Sequence, residues 1–433
     1  MLQRGSSHCP YGFQAFNSCL KSADRYVMET LNGKTILIIG AGLLQIPAIE
    51  RAKAMGLYTI ASDYRSEACG IPLADDSIII STRDVDGTVR EARKYSREKR
   101  PIHGVITVGT DASMTVAAVA SALNLPGIKF CDAEAASNKL KMRARLKEHA
   151  VPCPDYFECW TEEEAITHFH QLRNTAVVVK PADNMGSRGV SMASNEQEVR
   201  RAFAFAKNAT PSGEVIIEEY MPGPELSIDA LIYNGESHIT GIADRIIDKP
   251  PYFVETGHIM PSNLPAEALE DAVRVMKDGI QALGINLGAA KGDIKVTPEG
   301  AKVGEIAARL SGGFMSAYTF PYATGIDLVG KAIRIAMGEE PGDLVPELDA
   351  VSMEAALIPG AGRVAGISGI ASALALNAVK HIFINIEIGD TLVNPRCNVE
   401  KAGHIIVQAD SREAAIQAVE KARTLIQFNL EKR

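Results

Sequence analysis

Residues Lys34–Asp63 constrain the fold more than any other stretch of the chain. Thr35-Ile36-Leu37-Ile38-Ile39 reads as a short buried strand, Gly40-Ala41-Gly42 as a tight turn, and Ile46, Ile49 and Ala52 as the start of a helical apolar stripe. A second strand, Leu57–Ser62, ends at Asp63. Strand, glycine turn, helix and strand make a βαβ unit, which implies a parallel sheet with a right-handed crossover. Strands at Ser77–Ile80 and Gly104–Val108 continue it.

The glycine turn supports two readings. A nucleotide cofactor could sit on the helix N-terminus with Asp63 on a ribose, as in an NAD-dependent oxidoreductase, or the glycines simply permit a close turn. Gln45 stands where G-x-G-x-x-G needs its third glycine, which weakens the first. Residues 1–33 have no apolar core of signal-peptide length, so they read as an N-terminal extension rather than a secretory leader. The 433 residues are enough for about three domains. No apolar run approaches the ~18 to 20 residues of a membrane span, since even Ala371–Ile388 is broken by Asn377, Lys380, His381 and Asn385. A net charge of −8 argues against a nucleic-acid-wrapping surface and leaves small molecules as the expected partners. The seven cysteines, Cys9, Cys19, Cys69, Cys131, Cys153, Cys159 and Cys397, are odd in number and form no C-x-x-C pair. Reduced thiols and a cytoplasmic location are therefore expected.

The middle of the chain begins with a helix start at Asp132-Ala133-Glu134, after which Lys139, Arg143 and Lys147 share one face. A helix at Thr161–Leu172, a strand at Ala176–Lys180 and a loop at Pro181–Gly189 follow. Strand Val215–Tyr220 leads through Pro222-Gly223-Pro224 into Glu225–Tyr233, and Leu269, Val273, Met276, Ile280 and Leu283 form the stripe of a helix that stops at Gly284. From about Gly338 the pattern predicts strands at Val351–Leu357 and Ile382–Ile388 and a last helix at Ser411–Gln427. That region holds few convergent charges and reads as packing around a substrate rather than the seat of chemistry.

Three segments carry chemistry. The loop Asp183–Gly189 lies between two strands, which excludes a Walker-type P-loop, yet Gly186, Ser187 and Gly189 allow backbone N–H groups to wrap phosphates. The alternative is a mobile turn without a ligand. Lys180 ends a strand of valines and is costly to bury without an anion, so Lys180 and Lys139 could converge on phosphate oxygens, unless Lys139 is only a solvated helix lysine. Pro298-Glu299-Gly300 reads as a three-residue hairpin loop that pairs Thr297 with Ala301 and hence Asp293 with Glu305. Opposed carboxylates call for a cation between them, and hard oxygens without His or Cys select Mg²⁺ or Mn²⁺. Two exposed acids screened by Lys295 and Lys302 are the alternative. Arg309 then suits either a second anion, such as a carboxylate or transferred phosphoryl group, or an exposed acid.

With these pieces in order the chain resembles the ATP-grasp enzymes from about Lys34 to its C-terminus. The resemblance lies in Lys139 within Asn-Lys-Leu-Lys-Met-Arg, Lys180 within Val-Lys-Pro-Ala-Asp, Gly186-Ser187-Arg188-Gly189, Glu218-Glu219-Tyr220-Met221, and Asp293, Glu305 and Arg309. Through Glu255-Thr256-Gly257-His258-Ile259-Met260-Pro261 and Glu305-Ile306-Ala307-Ala308-Arg309 it is similar to carboxylate–amine ligases typified by bacterial L-amino-acid ligases.

The resemblance implies an α/β and α+β chain: a Rossmann-like domain at 34–137 that does not bind NAD, an ATP-grasp core at 138–337 with a mobile lid at about 152–217, and a C-terminal α+β domain at 338–433. It implies that Lys139 and Lys180 hold ATP phosphates under a lid bearing Gly186 and Ser187. Glu218, Tyr220 and Met221 would meet adenine, Glu225 the ribose, and Asp293 and Glu305 Mg²⁺. Ala307 stands where many such enzymes carry a further metal-binding Asn. Glu255, His258, Arg309, Gly312 and Gly313 are the candidate substrate-binding residues, and Arg309 and Lys180 the candidate catalytic ones. The implied reaction activates a carboxylate as an acyl phosphate, which an amine then attacks, with the lid excluding water. His258 either positions the second substrate or accepts its proton, or is only hydrogen-bonded within a loop. Arg188, Tyr252 and Phe314 are candidates for specificity. The competing readings are an ATP-grasp enzyme activating bicarbonate or formate, the NAD-dependent oxidoreductase, and a non-catalytic nucleotide sensor. A homodimer is the default assembly.

Overall fold

A computed structural model describes residues 31–172 and 176–431, so Cys9, Cys19 and the expected N-terminal extension lie outside the described residues except for its last positions. The βαβ expectation holds. Strands β1 (Thr35–Ile39), β2 (Tyr58–Asp63), β3 (Asp76–Ile79) and β4 (Gly104–Ile106) form a parallel sheet in the order β3-β2-β1-β4. Every residue of β1 is buried, as a strand covered on both faces requires. The turn after β1 closes on itself: Gln45 accepts a hydrogen bond from the Gly42 N–H, and its side chain lies 3.0 Å from where a Gly40 Cβ would be. Asp63 accepts from the Ala41 N–H at 3.2 Å. Gln45 thus fills the turn where a dinucleotide motif needs a glycine, and Asp63, which would meet the ribose, is engaged by the backbone of the turn and of Arg65.

Strands β5 (Tyr156–Cys159), β6 (Val177–Pro181), β7 (Ser191–Ala193) and β8 (Val215–Glu219) make a separate antiparallel sheet in the order β5-β8-β6-β7. Helices Glu162–Leu172 and Glu196–Lys207 cover one face through Ala165, Val199, Ala202 and Phe203, which pack on Val177, Val179 and Ile217. The loop 182–190 joins β6 to β7, an antiparallel pair, as its two-strand setting predicted.

The largest layer is an eight-stranded antiparallel sheet. It contains β9 (Glu225–Tyr233), β10 (Glu236–Ile247), β11 (Glu255–Met260), β12 (Gly288–Thr297), β13 (Gly300–Ala307) and β14 (Val351–Leu357). After β15 (Gly362–Ser368) come β16 (Val379–Ile384), β17 (Thr391–Leu392), β18 (Gly403–Ala409) and β19 (Gln427–Glu431). The order is β13-β12-β9-β10-β11-β14-β18-β16, with β17-β15-β19 as a small outlying sheet. Helix Ala266–Ala282 packs beneath one end through Ala272, Val275, Met276 and Ile280. Helix Arg412–Leu425 packs beneath the other through Ala415, Val419 and Ala422. Hydrogen-bonded strands thus run without a break past residue 338.

Two local expectations are corrected. The helix expected from Asp132 is two helices, Phe130–Ala135 and Lys139–Glu148, because the Asn138 side chain accepts from the N–H groups of Leu140 and Lys141 and starts a new one. The β12–β13 hairpin has a two-residue turn that pairs Thr297 with Gly300, not with Ala301. A register shift between Asp293 and Ile294 inserts Gly304 as an extra residue and restores the Asp293–Glu305 pair.

Candidate active site

A cleft of about 760 Å³ opens between the loop after β6, the upper face of the large sheet and the turn after β1. Lys139, Lys180, Gly186, Ser187, Glu218, Tyr220, Met221, Glu225, Glu255, His258, Asp293, Glu305, Arg309, Gly312 and Gly313 all line it. Fifteen residues scattered over 175 positions of sequence thus share one space.

Its floor near the lid is a network of buried charge. Lys180 reaches Glu218 at 2.6 Å, and Arg143 reaches the same carboxylate at 2.9 Å. The anion that a buried Lys180 requires is therefore supplied by the protein, and the Glu218 side chain is committed to cations, which leaves only its backbone for adenine. Burial lowers the Lys180 pKa despite Glu218; it opposes ionisation of Glu218 too, but Arg143 and Lys180 outweigh it and hold that carboxyl below its usual range. Lys139, 3% exposed rather than solvated, donates to the Asn184 carbonyl at 2.6 Å and stands 3.7 Å from Glu305. Sequence reasoning placed Arg143 on the face of Lys139 but gave it no role. Its guanidinium also donates to the Gly304 carbonyl at 2.6 Å and so ties the bulge to the lysines.

The paired acids are present, with cations already beside each. Asp293 is held by Lys291 and lies 3.6 Å from Arg245, while Glu305 faces Lys139. The repulsion expected between them is thus offset by side chains, and no cation between them is needed for the chain to fold. Burial works against ionisation of Glu305, but Lys139, Lys180, Lys291 and Arg309 hold its pKa down to about 2. Two hard-oxygen groups on adjacent strands fit a Mg²⁺ that takes its remaining ligands from phosphates and water. Among the described residues no cluster of three or more His, Cys, Asp or Glu side chains placed to hold a metal occurs.

Gly304 sets this pair, since a Cβ there would lie 2.9 Å from the Asp293 carbonyl. Gly304→Ala should therefore displace Glu305 and raise the Mg²⁺ concentration for half-maximal ATP turnover by about tenfold, which a metal titration at fixed ATP checks. An unchanged titration would remove the bulge from the metal argument.

Arg245 was not singled out from the sequence, yet it organises the other half of the floor. It binds Glu225 and Glu255 and approaches Asp293, joining β9, β11 and β12. Burial disfavours its charge, but Asp293, Glu225 and Glu255 raise its pKa well above the usual value; Glu255 is in turn held well below the carboxylate range. Glu225 also faces Lys295 at 3.6 Å, so its oxygens are engaged by cations in this state. Arg309 donates to the Leu310 carbonyl at 3.0 Å, while its buried Nε has no hydrogen-bond partner among the described residues. A guanidinium that lines a cleft suits an anion. Asp111, also missed, sits close by, its carboxyl pushed up by burial against the pull of Arg309 and Lys139.

Three further sequence expectations are resolved. Arg188 and Phe314 line the cleft, but Tyr252 does not; it packs edge-on against Phe205, with ring centroids 5.6 Å apart. Gly313 and Phe314 have φ of 60° and 65°, so the turn after Arg309 is left-handed at two successive residues. The last region, expected to hold few convergent charges, brings Lys401 and His404 to the cleft and sets Glu354 behind His258 and His404, because β14 and β18 extend the same sheet. A lone Glu in the apolar strand Val351–Leu357 was the available signal.

Comparison with known proteins agrees with this geometry. Residues 173–317 match the ATP-grasp domain family, residues 49–127 the ATP-grasp N-terminal domain, and residues 355–431 the L-amino acid ligase C-terminal domain 2. The chain is an ATP-grasp protein. Its relatives include an uncharacterized protein, y4rH, of Sinorhizobium fredii, 26% identical over 357 residues that cover 81% of this chain and 73% of that one. Carnosine synthase 1 of Gallus gallus is 25% identical over 341 residues, covering 72% of this ATP-grasp chain but only 36% of the synthase. An L-amino acid ligase from Bacillus licheniformis shares the fold, with a TM-score of 0.79 at 22% identity over 93% of this chain and all of that one. Among the described residues no helix is long and apolar enough to cross a membrane.

Proposed function

We propose that this ATP-dependent carboxylate–amine ligase activates a small carboxylate of the amino-acid class as an acyl phosphate and couples it to an amine, with release of ADP and phosphate. The observation that carries the reading is the cleft itself: Lys139, Lys180 and Arg309 line one cavity with the Asp293–Glu305 pair. The similarity of residues 355–431 to an L-amino acid ligase domain supports an amino acid as the activated carboxylate over bicarbonate or formate.

Each step follows from charge. A carboxylate oxygen attacks the γ-phosphorus of ATP while the bond to ADP breaks, and Lys139, Lys180 and Arg309 offset the charge on the transferring oxygens. Mg²⁺, held by Asp293 and Glu305, would neutralise phosphate charge. Gly186 and Ser187, both with left-handed φ near 60°, turn the loop after β6 over the phosphate side of the cleft, where it excludes water from the acyl phosphate. Glu255 and His258 lie on the acceptor side, His258 as a proton acceptor for the amine. Tyr220 and Met221 flank the adenine, with Glu225 toward the ribose. The free thiols of Cys69, Cys131, Cys153, Cys159 and Cys397 support a reducing, cytoplasmic setting, and a homodimer is the assembly we expect.

The reading is tested by phosphate release from Mg-ATP against the twenty amino acids singly and in pairs, with mass spectrometry of the products. A product at the mass of the pair minus water establishes it, and intact ATP throughout overturns it. Arg309→Ala should lower acyl-phosphate formation by about 10²-fold with ATP affinity nearly unchanged, measured by hydroxamate trapping and nucleotide titration. An equal loss of both would assign Arg309 to the nucleotide.

A further inference from the structure

Glu354 is fully buried, and its carboxylate lies between two imidazoles. His258 Nδ1 on β11 is 3.0 Å from one oxygen, and His404 Nδ1 on β18 is 2.5 Å from the other. The three strands are neighbours, with His258 directly opposite Glu354 and His404 diagonal to it, so the sheet presents all three side chains on its cleft face. An ionised carboxylate only accepts hydrogen bonds. Each Nδ1 therefore carries a proton, and a ring in its neutral form then offers Nε2 as a lone pair. Both rings line the cleft, and among the described residues neither Nε2 has a partner in the chain. Burial opposes ionisation of Glu354, but the two histidine hydrogen bonds outweigh it and keep the carboxyl far below its usual range; burial lowers the His404 pKa and favours its neutral form.

The coupling step needs such acceptors. An amine enters as an ammonium, and as its C–N bond forms and the bond from carbon to the phosphate oxygen breaks, two protons leave the nitrogen. One departs with hydrogen phosphate and the other reaches solvent. We propose that Glu354 is a positioning residue that locks His258 and His404 in the Nδ1–H tautomer, and that His404 joins His258 in taking protons from the amine. This rests on the ligase reading above. The Phe314 ring, 5.0 Å from His404 and edge-on to it, helps to fix the second imidazole.

Hydroxylamine is neutral near pH 7 and traps acyl phosphates without a base, which separates proton transfer from everything before it. With the amino-acid panel, Glu354→Gln and His404→Gln should lower amide formation by about 10²-fold while hydroxamate formation stays within about threefold of wild type. Equal loss of both products, or retention of both, overturns the proposal. Absence of hydroxamate in the wild type with any acid would instead overturn the ligase reading, and this proposal with it. Nitrogen-15 correlation spectra of the wild-type imidazoles give a test that does not depend on how the variants fold. The proposal requires both rings as Nδ1–H, and an Nε2–H form of either would refute it.

Discussion

Glu305→Ala is expected to lower Mg-ATP turnover by about 10³-fold or more with the fold intact. The carboxylate is the partner of Asp293 across β12 and β13, stays ionised with a pKa of about 2, and is the acid nearest Lys139. Alanine removes one of two hard-oxygen groups for the metal and leaves the Lys139 ammonium without its counterion. The backbone ladder of β13 does not depend on that side chain, so circular dichroism should be unchanged. Phosphate release and ADP titration with and without Mg²⁺ read the effect separately. Near-normal turnover would sink the assignment of the pair to Mg²⁺, and Glu305→Asp should recover part of the loss.

Arg245→Leu should have the largest effect on stability. The guanidinium stands among Glu225, Glu255 and Asp293, all well buried, and its removal leaves three carboxylates facing one another with only Lys291, Lys295 and Lys401 nearby. Removing one partner of a buried ionic cluster costs about 3–5 kcal/mol, because the remaining charges lose their compensation in a poorly solvated place. A clear drop in the urea midpoint is expected, together with loss of ATP turnover. Arg245→Lys should recover only part of either, since an ammonium cannot span three acids as the planar fork does. An unchanged midpoint would mean that the three acids relax to solvent, contrary to their burial.

Much of this site was legible because it lies where local patterns change. Lys180 ends a valine strand, Asp293 and Glu305 flank a turn, and Gly186 to Gly189 interrupt two strands, so each stands out against its neighbours. The hairpin shows how a correct pair can come from an incorrect count: the turn is one residue shorter than expected, and the Gly304 bulge supplies the missing residue. Periodicity cannot foresee a bulge. Arg143, Arg245, Glu354 and His404 were not legible for another reason. Each gains its role from a partner 50 to 96 positions away or on another strand, and only sheet order brings those partners together. Lys180, His258, Asp293 and Glu305 stand in recognisable motifs, whereas Glu354 and His404 join them only through sheet order.

The unbroken sheet from β13 to β16 has a consequence for exchanging parts between relatives. Strands β9, β12 and β13 carry Glu225, Asp293 and Glu305, β11 carries Glu255 and His258, and β14, β18 and the loop before β18 carry Glu354, His404 and Lys401, all on one hydrogen-bonded layer. A chimaera joined in the segment between helix Leu328–Ala336 and β14 would swap Glu354, Lys401 and His404 together while keeping Glu255 and His258, provided that the graft keeps the pairing of β11 with β14. Inheritance of new acceptors could then proceed by recombination at that seam, without disturbing the way ATP is held.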